Sequence, residues 1–279
     1  HSSGWQTKEF IDKHYQDRMS YPLIILIKQN EGFIFLPASK EKALAAEIFT
    51  RYLNDGGTIQ KIKNSFSDFA QEIECLFQKL SYEFITKEPY EKLLKIFNRL
   101  NDQLWNLNAL VFFSIYLDME ICQKVIDELR VNISEERFNE IWQKASEPIG
   151  ISFEKKRELY LYELMIDGES WQSIAEKCQY FRATYNRIAP TTEDEKDLFD
   201  RYGALGKKKA KKLINIELKL YNEREKKHED WLKTLTEEEQ KIVRFIQFAI
   251  EIRDDRKDYI MKSIVLFYRF AEKIFKTHG

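Results

Sequence analysis

Residues 236–275 read TEEEQKIVRFIQFAIEIRDDRKDYIMKSIVLFYRFAEKIF, and this run decides the fold. At about 100° per residue it forms one long helix, with Ile242, Ile246, Ala249, Ile260, Ile264, Phe267 and Ala271 on a single face. Arg253, Arg256 and Lys257 fall within that apolar face, whereas Glu251, Asp254, Asp255 and Asp258 fall opposite. A cation turned toward a packed interior is costly unless an anion meets it. The sequence therefore predicts either an internal ion pair at the basic triplet or a site that accepts an anionic ligand there.

The rest of the chain fits the same class. Of 279 residues, 43% are hydrophobic and 33% charged, with only 9 Gly and 5 Pro, which favours long helices over a turn-rich sheet. Lys plus Arg (45) nearly balance Asp plus Glu (46), which speaks against a dedicated nucleic-acid or anionic-membrane surface, although a local patch is compatible with it. Cys75, Cys122 and Cys178 are odd in number and lie in helical patterns, as reduced thiols of a cytoplasmic protein would, so neither a disulfide nor a metal is expected. No apolar run reaches the roughly 18 residues of a membrane span. His1 to Gly4 read as a tag remnant, leaving 5–279 as one helical domain.

Within that domain the expected fold is mostly α: a multi-helix body with one short N-terminal β-hairpin and a long C-terminal helix. Tyr21–Ile27 and Phe33–Leu36 flank an Asn30/Gly32 turn and form the hairpin subregion, 5–40. A helical body follows over 41–191, with helices near 41–53, 58–84, 89–106, 107–130, 134–145, 153–166 and 169–179. A long-helix hairpin occupies 192–279. Thr192 with Glu195 and Thr236 with Glu239 fit the capping box, in which each side chain satisfies a free amide of the other residue.

The usual chemistries find little support. His14 and His228 have no partner at metal-ligand spacing, and His228 lies in a charge run read as an exposed helix face. There is neither a phosphate-cradling Gly-rich loop nor a nucleophile elbow. Lys207 to Lys212 form a basic cluster read as a solvated face, and Asp254 and Asp255 as an exposed polar one. The candidates left for binding are Arg253, Arg256 and Lys257, whose basic heads suit phosphate or carboxylate, together with the aromatics Trp171 and Tyr185. No catalytic residue, metal ligand or cofactor is assigned.

The run Ala249-Ile-Glu-Ile-Arg-Asp-Asp-Arg-Lys-Asp-Tyr-Ile-Met, following a capped helix start, resembles the helical intermediate domain of phosphoenolpyruvate-utilising enzymes. The similarity is to phosphoenolpyruvate synthase-like proteins and rifampin phosphotransferases. Glu147-Pro-Ile-Gly-Ile-Ser-Phe ahead of Glu158 and Leu159, the Tyr180–Tyr185 stretch, and Trp5 with Arg18 before the hairpin are similar in order. In that family an ATP-grasp domain binds nucleotide, a swivelling domain carries a phosphorylatable histidine, and the helical segment lies between them. This sequence contains neither of those units. The resemblance thus implies a non-catalytic module that arranges or covers substrate for nucleotide-binding and phosphohistidine domains in cis or trans, with Arg253, Arg256 and Lys257 matching the family's charged helix. Two alternatives stand beside it: a stand-alone receptor for a small anionic or aromatic ligand, and a nucleic-acid or protein adaptor using Lys207 to Lys212.

Overall fold

A computed structural model describes residues 24–28, 31–35, 38–80, 82–111, 113–181, 196 and 199–278. The described chain is mostly helical. Its helices are α1 (Ala38–Asn54), α2 (Thr58–Lys79), α3 (Tyr82–Lys87), α4 (Tyr90–Val111), α5 (Phe113–Tyr116), α6 (Met119–Glu128), α7 (Glu135–Ala145), α8 (Phe153–Asp167), α9 (Trp171–Lys177), α10 (Gly206–Leu232) and α11 (Glu237–His278), with a 3-10 turn at Gln179–Phe181. Where the hairpin is expected, the backbone segments β1 (Ile24–Lys28) and β2 (Glu31–Phe35) are aligned antiparallel with Ile24 opposite Phe35. The residues joining them lie outside the described ones, so the hairpin as a unit remains a proposal.

Short polar residues set the helix starts. Asp118, Ser134, Ser152 and Ser170 each accept a hydrogen bond from the backbone N–H three residues on, satisfying an amide that α6, α7, α8 and α9 leave free. The capping box of α11 is complete: Glu239 accepts from the Thr236 N–H at 2.7 Å, and Thr236 Oγ1 accepts from the Glu239 N–H at 3.3 Å. Glu239 also takes Arg137 Nε at 2.6 Å, tying α7 to the start of α11. Gly168 ends α8 in the left-handed region at φ 82°, and the Glu169 N–H returns to Leu164 O at 3.1 Å. Thr192 and Glu195 lie outside the described residues.

Two helix boundaries differ from expectation. α4 continues through 106–107 to Val111, because Leu107 is buried and Asn108 satisfies its side-chain amide within the helix, donating to Leu104 O at 2.9 Å. The chain breaks instead before Asp118, whose carboxylate starts α6. The expected helix over 58–84 is two, α2 and α3, divided at Leu80.

α11 is the axis of the fold, packing against α1, α2, α3, α4, α5, α7, α8 and the 3-10 turn. Its first half enters a core in which Phe49 and Tyr52 stack on Phe245 at 4.7 and 5.2 Å. Its second half enters another, built from Ile73, Phe77, Leu100, Leu107, Val265, Leu266 and Phe270. A third cluster joins α8, α9 and α10 through Leu161, Tyr162, Ile174, Cys178 and Ala210. The single apolar stripe read from the sequence is therefore incomplete. Ile242, Ile246, Ala249 and Ile260 are buried as expected, but so are Val243, Phe245, Phe248, Met261 and Leu266 in other sectors, because helices cover α11 on several sides.

Candidate functional site

The basic triplet does not line an interior pocket. Arg253 is exposed, and Arg256 and Lys257 are only partly covered, in the stretch of α11 between the first core and the second. Lys257 Nζ pairs with Asp254 Oδ1 at 2.6 Å, one turn back on the same helix. Asp254 does not face away from the protein as expected. Its Oδ2 accepts the Phe153 backbone N–H at 2.8 Å, and Asp255 meets Lys156 at 2.5 Å, so the two acids hold the N-terminal turn of α8 against α11. Negative charge at a helix N-terminus is favourable, and this contact explains the acidic pair without a ligand. Trp171 opens α9 and meets Phe199 edge-on at 5.3 Å in the third cluster, while the triplet lies on α11 between the other two cores. Tyr185 lies outside the described residues. Arg253→Ala should accordingly change the thermal midpoint by less than about 1 °C, equivalent to a surface substitution within about 0.5 kcal/mol; a drop of several degrees would show that the guanidinium is an internal partner after all.

The interior cations are elsewhere. Lys262, 8% exposed, places Nζ 2.5 Å from Glu74 Oε2 and 2.6 Å from Asp258 Oδ2. The same ammonium lies 4.7 Å from the Tyr180 ring centroid and 5.5 Å from that of Tyr259. Arg269, 3% exposed, donates from Nη1 to Leu80 O at 2.7 Å and from Nη2 to Gln179 Oε1 at 2.6 Å, over the Phe77 ring. Arg157 donates to Tyr180 O and lies over Phe153 and Phe181, at 4.5 and 4.9 Å from their centroids. Burial holds the Arg157 and Arg269 guanidiniums below their ordinary pKa. It raises the Tyr180 phenol, with Asp258 adding to the effect, and pushes Tyr259 up to about 12. The cations are thus engaged by carboxylates, carbonyls and rings of the chain itself. Their work is to fix the 3-10 turn and the Leu80 bend against α11.

Sequence reading missed these residues because Lys262 and Arg269 lie outside the stripe taken as buried. Lys262 follows Asp258 by four residues, a helical ion-pair spacing that was visible. Of the rings around it, Tyr259 is one turn back on α11, but Phe77 and Tyr180 come from α2 and the 3-10 turn, and no local signal places those two there.

No protein-family model, curated protein or solved structure matches the chain.

Among the described residues no group of three or more His, Cys, Asp or Glu is arranged to hold a metal ion, and no helix is long and apolar enough to cross a membrane. Cys75, Cys122 and Cys178 are free thiols; burial raises the Cys122 pKa and pushes Cys178 up to about 12, so neither supplies a thiolate nucleophile near neutrality.

His228 is not on a fully exposed face. Its Nδ1 is 3.3 Å from Gln247 Nε2 on α11, and its ring lies beside Trp231. Burial depresses its pKa below the ordinary value. The unfolded chain then takes up a proton more readily than the folded one, so this contribution is complete above about pH 6.5 and is lost as pH falls through that value. The thermal midpoint should drop between pH 7 and 5.5, and His228→Gln should make that drop shallower; equal slopes for the two proteins would exclude the histidine as its source.

The lysines of α10 contrast with the interior cations. Lys208, Lys211 and Lys212, with Asn215, Ile216 and Lys219, line a shallow, open depression on the outer face of the helix. Among the described residues no carboxylate lies within ion-pair distance of Lys208, Lys211 or Lys212.

Proposed function

We propose that this chain is a non-catalytic helical interaction module, a body organised around α11 that presents the lysine-rich outer face of α10 as its working surface. One contrast carries the reading. Lys262, Arg269 and Arg157 are engaged from within the protein, whereas Lys208, Lys211 and Lys212 point outward with no acid beside them among the described residues. A positive face left without internal partners is available to an external one.

The resemblance to the intermediate domain of phosphoenolpyruvate-utilising enzymes is part of the same proposal and rests most specifically on residues 249–261. In that setting the module arranges or covers substrate for nucleotide-binding and phosphohistidine domains in cis or trans. The paired backbone segments 24–28 and 31–35 support an N-terminal hairpin, and three unpaired cysteines fit a cytoplasmic location.

The alternative, a receptor for a small anion at Arg253, Arg256 and Lys257, gives a different result in thermal denaturation. A ligand at about 100 times its Kd stabilises the folded state by about 2.7 kcal/mol, roughly 5 °C for a chain of this size. The module reading expects no such rise with inorganic phosphate, phosphoenolpyruvate or ATP. A rise that Arg253→Ala abolishes would replace it with the receptor.

A further inference from the structure

The outer face of α10 has a pattern specific enough to name its partner. At 100° per residue, Lys208, Lys212, Asn215, Lys219, Asn222 and Lys226 share an arc of about 80°, and all six are exposed. The opposite arc, with Ala210, Leu213, Ile214 and Glu217, is the side turned to the body, where α10 packs on α8. From 208 to 226 the ladder is about 27 Å long at 1.5 Å per residue. Residues 206–226 contain Lys207, Lys208, Lys209, Lys211, Lys212, Lys219, Arg224 and Lys226 against Glu217, Glu223 and Glu225, a net of +5, with Glu223 at 3.9 Å from Lys219. Glu217 is itself engaged by Arg224 at 3.3 Å and Lys155 at 3.9 Å.

Resting on the reading of α10 as the working face, we infer that this ladder docks the phosphate backbone of double-stranded nucleic acid without reading its sequence. A row of ammonium groups with interspersed amide donors complements a row of phosphates, and such contacts position a protein without specifying bases. The ladder carries no aromatic residue, which removes the stacking platform that single-strand binding uses. A membrane surface fits less well. Ile216 and Leu220 flank the lysines on one side and Leu218 on the other, so the exposed apolar groups are divided by the charged strip and form no continuous face to insert. The acids Glu193, Asp194, Glu195, Asp197 and Asp200 precede the helix in sequence, so long-range attraction is weak and binding depends on direct contact with the ladder.

The test is fluorescence anisotropy of a labelled 20-base-pair duplex of mixed sequence, titrated with the full chain at about 50 and 200 mM salt. Binding is expected at a Kd of about 1–100 μM at the lower salt, with log K falling against log salt at a slope of about −3 to −4 for about four lysine–phosphate contacts. The exposed triple variant Lys208→Glu/Lys212→Glu/Lys219→Glu should bind at least about tenfold more weakly with an unchanged thermal midpoint. The charge-matched variant Lys95→Glu/Lys124→Glu/Lys233→Glu should keep most of the affinity. Absence of duplex binding by the wild type would overturn the inference, as would equal losses in the two variants, or tighter binding to a single strand or to phosphatidylserine vesicles than to the duplex. None of these outcomes touches the module reading, which fails separately if phosphate, phosphoenolpyruvate or ATP raises the midpoint and Arg253→Ala abolishes that rise.

Discussion

Phe245→Ala is expected to remove about 3–5 kcal/mol of stability, measured as the shift in a urea unfolding curve at constant slope. Phe245 is fully buried and lies where α1, α5 and α11 meet, stacked on Phe49 and Tyr52 and 6.0 Å from Phe113. Truncating it removes the transfer free energy of a large ring and leaves a cavity. The three rings around it, two on α1 and one on α5, cannot close that cavity without moving backbone. Against a total stability of about 5–15 kcal/mol, the loss is a large fraction. A loss below about 1.5 kcal/mol would mean that these helices readily repack and that α11 is not the rigid axis described above.

Arg269→Ala should cost about 3 kcal/mol, by the same measurement. Its charge-assisted hydrogen bonds, buried to Leu80 O and partly buried to Gln179 Oε1, are lost on deletion, leaving two acceptors without their donor, at about 1–3 kcal/mol for a buried one and less for the other. Loss of the contact over Phe77 adds to this, while relief of burying the guanidinium, seen in its lowered pKa, offsets part of it. Arg269→Lys should recover less than half, because an ammonium cannot reach two acceptors spaced for a fork. Should alanine and lysine behave alike within 0.5 kcal/mol of wild type, the guanidinium would not be what ties the Leu80 bend and the 3-10 turn to α11.

Much of the helical body follows from local chemistry. Ser134, Ser152 and Ser170 begin helices because a hydroxyl satisfies a free amide, and Thr236 with Glu239 does so reciprocally; these are matters of a few adjacent residues. The amphipathic spacing of α2, with Ile62, Ile73 and Phe77 buried, is legible for the same reason. The division expected at 106–107 is absent because burial of Leu107 and the Asn108 bond to Leu104 O keep α4 continuous to Val111. The site was less legible still. Arg253 projects to the stripe side by its angle yet is exposed, and Asp254 is drawn inward by the α8 N-terminus from a hundred residues away.

By itself, then, the sequence determined that the chain is mostly helical, where most of its helices begin, and that the last forty residues form one of them, because periodicity and capping act over a few residues. Tertiary structure alone decided which cations are interior. A helix surrounded on several sides has no single buried face, so Lys262 and Arg269 are covered, Arg253 is not, and the lysines of α10 face outward because α8 occupies the other side.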